Sequence, residues 1–327
     1  MTDPSRPGGS YSLAGGWLWF DRVEVLERGR ASQLVPAGDL PRDVLDRLTA
    51  PRSFGGLTLD RPRIMGILNV TPDSFSDGGM FLRPEAALMQ ARQMAAGADI
   101  LDIGGESTRP GAVEVALAEE TYRTAPVIAA LREGGLDCPI SIDTRKAGVA
   151  RAALAAGAGI VNDVSAMGFD TGMAAVVAGC QAPVILMHAL GDPATMQRDP
   201  HYGDVLLDVF DFLADRVAVA QAAGIPRSRI AVDPGIGFGK TLQHNLTLLN
   251  RLSLFHDLGL PVLLGASRKR FIGTIGAETE AARRMPGSLA VALAGVAQGM
   301  QMIRVHDVAE TRQALSLWQA VTRGRSE

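Results

Sequence analysis

Eight short apolar runs, each closed by polar residues and followed by a stretch of helical periodicity, recur along the sequence from Ile64 onward. This repeat constrains the fold more than any other feature. The runs are IMGILN (64–69), ILDIGG (100–105), ISID (140–143), GIVND (159–163), PVILMH (183–188), IAVDPG (230–235), PVLLGAS (261–267) and QMIRVH (301–306). Helices are expected over Pro84–Ala96, Ala116–Leu131, Lys146–Ala156, Val205–Ala223, Asn245–Leu258, Ser288–Gln298 and Val308–Thr322, with a short one near Gly172–Gly179. In Val205–Ala223, for example, Val205, Val209, Phe212, Leu213 and Val217 share one face while Asp208, Asp211, Asp215 and Arg216 occupy the other. Uninterrupted apolar strands need cover on both sides, which implies a parallel sheet wrapped by helices. Eight units over about 260 residues fit an α/β protein of the (β/α)8 TIM-barrel type, in preference to a doubly wound open sheet.

The flanks of the repeat set the expected domain organisation. FGGLTLDRPR offers a glycine turn and an alternating Leu57/Leu59 pair, expected to form a short hairpin that plugs the barrel bottom. Residues 54–327 are thus expected to be the barrel domain and residues 1–53 an N-terminal extension of no assignable role. Within the extension, the Pro-, Gly- and Ser-rich start reads as a frayed terminus. The stretch from Tyr11 to Pro51, with Trp17 and Trp19, reads as a strand and a short helix.

Composition narrows the partners. Lysine plus arginine (32) nearly balances aspartate plus glutamate (35) for a net charge of −3, so there is no positive field to hold a nucleic acid. No run approaches the ~18 apolar residues of a membrane span, and the first thirty residues lack a signal-peptide pattern, so the cytoplasm is expected and a membrane partner is not. Cys138 and Cys180 form no CxxC or Cys/His cluster and are expected in core packing. His201, His244 and His256 are expected at the surface or as helix caps, and Met65, Met187 and Met302 in the core, with Met187 the one placed to touch a ligand.

The residues that close the runs are Asn69, Asp102, Asp143, Asn162, His188, Asp233, the Ser267–Lys269 segment, and Arg304 with His306. In a barrel of this kind the carboxyl ends of all strands converge on one mouth. Any single Asp or Asn there could simply cap the following helix. Polar closure of all eight runs implies a small polar ligand, because so many charges and amides would otherwise be desolvated without compensation. Asp143, Asn162, Asp233 and Lys269 suit a flat, nitrogen-rich heterocycle, since a carboxylate accepts paired hydrogen bonds from an amino-pyrimidinone edge. Arg304, His306 and Asn69 suit an anion, with or without a metal. GFGKT (237–241) looks like part of a phosphate loop, but it lacks the full spacing and follows Asp233-Pro234, which argues against a nucleotide site.

The ordered segments NVTPDSFSDGG (69–79), DIGGESTRPG (102–111), SIDT (141–144), VNDVSA (161–166), LMH (186–188), DPGIGFGKT (233–241), GASRKRFIG (265–273) and RVHDV (304–308) together resemble the motif set of the dihydropteroate synthase family. The resemblance covers the chain from about Phe54 onward and itself implies a (β/α)8 barrel. It implies a transferase of folate biosynthesis that displaces diphosphate from (7,8-dihydropterin-6-yl)methyl diphosphate with the amine of 4-aminobenzoate, assisted by Mg²⁺. By matching motif positions, Asn69 would contact the metal, and Arg304 and His306 would hold the diphosphate. Asp143, Asn162, Asp233 and Lys269 would bind the pterin, with Met187, Phe238 and Gly265 lining its slot and Thr108 nearby. Phe75, Thr108, Arg109, Pro110 and Ser267 would shape the aminobenzoate pocket, while Asp77 would stabilise a cationic intermediate. The resemblance, with the small apolar residues of GSLAVALAGVAQG (287–299), also points to a homodimer.

Leu190 departs from the pattern, standing where many family members carry a polar residue. Two rivals share the pterin chemistry: a pterin-binding methyltransferase domain and a non-catalytic pterin-binding paralogue. The STRPG and SRK segments argue against the first, and intact Asn69, Arg109, Lys269 and His306 against the second.

Overall fold

A computed structural model describes residues 6–70, 83–107, 112–191 and 195–324. Its centre is an eight-stranded parallel sheet: β1 Arg63–Asn69, β2 Ile100–Gly104, β3 Ile140–Asp143, β4 Ile160–Asp163, β5 Val184–Met187, β6 Ile230–Asp233, β7 Leu263–Leu264 and β8 Met302–Val305. Neighbours run in the order β6-β5-β4-β3-β2-β1-β8-β7. A parallel bridge between Val232 and Val262, with Val232 N donating to Pro261 O at 2.9 Å, joins the two ends into a closed barrel.

The helices that cover the barrel are α1 Arg83–Ala95, α2 Leu117–Glu133, α3 Ala147–Ala155, α4 Met173–Gly179, α5 Val205–Ala222, α6 Leu242–Asn250, α7 Met285–Val296 and α8 Val308–Arg323. The expected helix over 245–258 is split: α6 stops at Asn250, Arg251 has a non-helical φ of −131°, and Leu252–Leu258 continues as a 3₁₀ turn. A further short helix, Arg270–Ile275, follows β7. Local chemistry sets several starts, as where the Asp204 side chain accepts from Leu206 and Leu207 N–H, and where Thr241 and His244 form a capping box. Among the described residues no helix is long and apolar enough to cross a membrane.

Strand alternation sorts side chains into two layers. Ile64, Leu68, Leu101, Ile103, Val161, Val184, Leu186, Val232 and Ile303 face outward into the core shared with the helices. Met65, Ile100, Ile160, Ile185, Ala231, Leu263 and Met302 face the barrel axis and pack on Phe54 and Leu59 from the Ser53–Phe54/Leu57–Thr58 hairpin, so the hairpin plugs the barrel bottom. Continuing the same inward phase upward reaches Asn69, Asp102, Asp143, Asn162, Met187, Asp233, Arg304 and His306. The period that fills the bottom with apolar side chains fills the mouth with polar ones.

The N-terminal segment is more structured than one strand and one helix. It holds the antiparallel pairs Tyr11–Ser12/Trp19–Phe20 and Arg22–Val25/Gln33–Pro36, then the helix Arg42–Thr49. It is fastened to the barrel by Arg28 to Asp208 (2.6 Å) and Asp211 (2.5 Å), Arg47 to Asp257 (2.9 Å), and Trp17 Nε1 donating to Val296 O (3.1 Å). Buried Arg52 donates to Leu260 O (2.6 Å) and His256 O (2.8 Å) and lies 2.9 Å from His256 Nδ1.

That contact corrects the expectation for His256, which is fully buried, not a surface or capping residue. Burial and the adjacent Arg52 lower its pKa to about 3, so the ring is neutral. His244 does cap a helix, and His201 is exposed beside Asp199. Cys180 corrects the core-packing expectation: it sits at the outer C-cap of α4 and is exposed, whereas Cys138 is half-buried against the core.

Phe54 is 2% exposed at the centre of the bottom layer. Phe54→Ala is expected to destabilise the fold by about 3–5 kcal/mol, because the barrel walls cannot collapse into the cavity. Urea unfolding checks this, and a loss under about 1 kcal/mol would mean that the plug carries little of the core.

Candidate active site

Four inward positions at the mouth form one charge network. Asp143 and Asn162 are register partners on β3 and β4, and so lie side by side. Asp102, inward on β2, is fully buried and accepts from Asn162 Nδ2 at 3.1 Å. Arg304, from the opposite end of the chain on β8, reaches both carboxylates: Nε donates to Asp102 Oδ2 at 2.6 Å and one terminal nitrogen to Asp143 Oδ2 at 2.5 Å. Burial works against the guanidinium charge, but Asp102 and Asp143 outweigh it and make Arg304 more basic than usual.

Two carboxylates share one guanidinium, and Asp143 shows the consequence. Burial raises its pKa to about 7; Arg304 opposes the rise, and the neighbouring Asp102 charge adds to it. Asp233, on β6, is raised by burial to about 6, against the N–H of Gly235 and the charge of Lys269. Its Oδ1 accepts from Gly235 N at 2.7 Å. Among the described residues, Asp102 Oδ1 and Asp143 Oδ1 are buried acceptors without a hydrogen-bond partner. Buried acceptors of this kind call for donors from a ligand or from water.

The rest of the mouth surrounds this network. Met187, at the end of β5, is buried as the direct register partner of Asp233 on β6. Gly265 leaves space beside Asp233, since a Cβ there would stand 3.3 Å from Asp233 Oδ2 and 3.9 Å from Arg304 Cδ. Lys269 Nζ lies 3.8 Å from the centre of the Phe238 ring, so a cation and an aromatic face line one wall. Ser267 Oγ is 3.0 Å from His306 Nδ1 and accepts from His306 N at 3.3 Å, while Arg268 pairs with Asp307 just below. Asn69, half-exposed at the end of β1, places Oδ1 3.7 Å from where a Cβ on Gly104 would be, and Asp143 Oδ2 is equally close to that point.

The structure therefore gathers Asn69, Asp143, Asn162, Met187, Asp233, Phe238, Gly265, Ser267, Lys269, Arg304 and His306 at one end of the barrel. Phe75, Asp77, Thr108, Arg109 and Pro110 lie outside the described residues. Arg304 stands between Asp102 and Asp143 and is ion-paired to both.

Asp102 is one of the run-closing residues but has no assigned ligand role, and Lys240 is assigned to no site. Asp102 carried a signal, as the polar residue inside a buried strand, but the helix-cap explanation competed with it. Lys240 is 3% exposed, with Nζ 2.8 Å from His188 Nδ1. A second buried cluster, also unforeseen, lies behind β2 and β3. There Lys146 Nζ bridges Glu106 and Glu120 at 2.7 Å each, and Glu106 also accepts from Val115 N at 3.0 Å.

Arginine and lysine near paired carboxylates, with an amide and an aromatic wall, give a site whose chemistry could receive N–H donors of a flat ring and favour positive charge on it. Among the described residues no group of three or more His, Cys, Asp or Glu side chains could hold a metal ion.

Comparison with known proteins agrees with this chemistry. The family model described as "pterin binding enzyme" matches residues 65–306. The chain is similar to a dihydropteroate synthase of Synechocystis, with 46% identity over 289 residues, covering 86% of this chain and 100% of the relative. Among solved structures it is similar to Xanthomonas albilineans dihydropteroate synthase with 4-aminobenzoic acid (49% identity, TM-score 0.77, covering 81% of this chain and 94% of that one). It is also similar to the Xanthomonas albilineans enzyme in complex with 7,8-dihydropteroate (47% identity, TM-score 0.74, covering 81% and 95%).

The raised Asp143 makes stability depend on pH. Its pKa is about 7 folded and ~4 unfolded, so the folded state binds the extra proton between those values. The contribution is fully present below ~4 and lost as pH rises through about 7. The melting temperature of the ligand-free protein is expected to fall between about pH 5 and about pH 8, and to fall less in Asp143→Asn. Parallel curves for the two proteins would place the raised carboxyl elsewhere.

Proposed function

The chain belongs to the pterin binding enzyme family, among its dihydropteroate synthases, and we propose that it joins (7,8-dihydropterin-6-yl)methyl diphosphate to 4-aminobenzoate, giving 7,8-dihydropteroate and diphosphate. The observation that carries this reading is the convergence of Asp143, Asn162 and Asp233 with Arg304 and Lys269 on one barrel mouth. The carboxylates and the amide receive the N–H edge of the pterin. Lys269 and Phe238 form one wall of its slot, and Met187 and Gly265 complete it.

In the reaction the methylene C–O bond breaks and its electron pair leaves with the diphosphate. The amine nitrogen forms the new C–N bond and gives up one proton. Positive charge that develops on the pterin methylene is favoured by the buried carboxylates around the ring, which are already oriented before the reaction. Arg304 links those carboxylates to the anion end, and His306, held by Ser267, completes the diphosphate site. Asp77 supporting the cation, and Phe75, Thr108, Arg109 and Pro110 shaping the aminobenzoate pocket with Ser267, are proposed from the motifs alone.

Asn69 fits a Mg²⁺ that arrives with the substrate. Its amide oxygen is a hard, neutral donor at the strand end, and Mg²⁺ keeps waters and phosphate oxygens as most of its ligands, so one protein oxygen suffices. Bound there, the metal would neutralise diphosphate charge. The catalytic unit is proposed as residues 54–327 with residues 1–53 as an extension, and the location as the cytoplasm, which cell fractionation would check. The partners are these small molecules, not nucleic acid or membrane.

A turnover assay tests the reaction directly. Purified protein given the pterin diphosphate, 4-aminobenzoate and Mg²⁺ is expected to release diphosphate and form dihydropteroate in equal amounts. Folded protein that binds the pterin and yields neither product would sink the reading.

A homodimer through α7 and α8 is also proposed. Ala290, Ala294 and Ala297 are exposed on or just beyond α7, and on α8 Leu317 and Val321 are 65% and 72% exposed. Sedimentation is expected to give twice the chain mass, and Leu317→Glu with Val321→Glu to shift it toward monomer. A wild-type monomer at micromolar concentration refutes the dimer.

A further inference from the structure

The reaction uses Phe238 of the GFGKT motif but leaves its Lys240 without a role. A phosphate-loop lysine points outward to its anion, but Lys240 points into the protein. Its Nζ donates to Gly235 O at 2.8 Å and Phe238 O at 3.0 Å and lies 2.8 Å from His188 Nδ1. Burial lowers the pKa of the Lys240 amine while the Asp233 charge opposes the fall. In its charged form the amine has three protons for these three acceptors, so no donor is left over for a phosphate oxygen. His188 is suited to accept: burial first, then Lys240, lowers its pKa to about 3, which leaves the ring neutral.

What Lys240 holds is the loop after β6. Gly235, Gly237 and Gly239 all have left-handed φ, and a Cβ on Gly235 would stand 1.8 Å from His188 O. A loop with this many glycines has many conformations to lose. Side chains brace it at nearly every turn. Tyr202 Oη donates to Gly239 O at 2.7 Å, Gln197 Nε2 donates to Gly237 O at 2.7 Å, and Asn245 Oδ1 accepts from Gly237 N at 2.6 Å. Lys240 fastens the two points that matter for the mouth: Gly235, whose N–H orients Asp233, and Phe238, whose ring faces Lys269.

We infer that Lys240, with Tyr202 as an outer brace, is a positioning residue for pterin recognition: it holds rigid the backbone that orients Asp233 and presents Phe238, and it binds no phosphate. This rests on the ligand class proposed above. A wall fixed before binding spares the ligand the ordering of the loop, so the effect belongs to ring affinity and not to the second substrate.

The test measures affinity for a dihydropterin lacking the diphosphate, by calorimetry, beside steady-state KM values for both substrates. Lys240→Met is expected to weaken the phosphate-free pterin about tenfold or more. The pterin diphosphate should weaken by the same factor, with the 4-aminobenzoate KM changed less than about twofold. Unchanged pterin affinity in folded Lys240→Met overturns the inference, and so does a loss confined to the diphosphate form, which would make Lys240 a phosphate ligand after all. If Lys240→Met is insoluble, Tyr202→Phe, which removes one oxygen, is expected to weaken the pterin about threefold with the 4-aminobenzoate KM unmoved. No change in that variant also overturns it. A wild type that binds pterin without turnover refutes the proposed reaction and leaves this test standing. A wild type that binds no pterin refutes both.

Discussion

The contact of Arg304 with Asp102 and Asp143 is the constraint on which the rest of the site depends. Two buried carboxylates on neighbouring strands repel each other and are both desolvated. A single guanidinium, planar and able to fork, satisfies one oxygen of each. It leaves Asp102 Oδ1 and Asp143 Oδ1 as acceptors with no partner among the described residues. The site is thus balanced enough to fold and incomplete enough to bind. A better-neutralised mouth would have less reason to take up a ring rich in N–H donors.

Much of this was legible because the barrel uses one period throughout. The phase that places Met65, Ile100 and Met302 on the bottom layer also carries Asn69, Asp102 and Arg304 to the mouth. Eight runs with polar closures therefore reported both the fold and the position of the site. The runs did not report pairing across the barrel. Arg304 looked like an anion ligand by residue type, and only the closed geometry shows that it first serves two carboxylates. The fate of Lys240 was hidden for a related reason, since GFGKT reads the same whether its lysine turns outward or inward. Its direction is set by Gly235 O, Phe238 O and His188, which come together only when β5 and β6 lie side by side.

His256 and Cys180 are two expectations that the structure corrects, and each fails for its own reason. His256 lies in a stretch whose apolar spacing suits an α-helix, yet the chain tightens there into a 3₁₀ turn. The turn brings His256 beneath Arg52, a residue 204 positions away. Residues three apart share a face in both a 3₁₀ turn and an α-helix, so apolar spacing over one or two turns does not separate them. Cys180 was misjudged in the opposite direction, because composition describes the usual free cysteine and not one on an exposed helix cap.

The order in which the charge network is assembled has a consequence for synthesis on the ribosome. Asp102 and Asp143 emerge early, whereas the arginine that joins them comes from the last strand to be made. A nascent chain that has reached β6 already contains three of the acids of the mouth and lacks their guanidinium. β8 pairs with both β1 and β7, so the same short segment closes the ring and neutralises its centre. Mechanical completion and electrostatic completion are therefore one event. A chain stalled before residue 302 holds seven of the eight strands and exposes an acidic, open-edged sheet instead of a smaller working barrel.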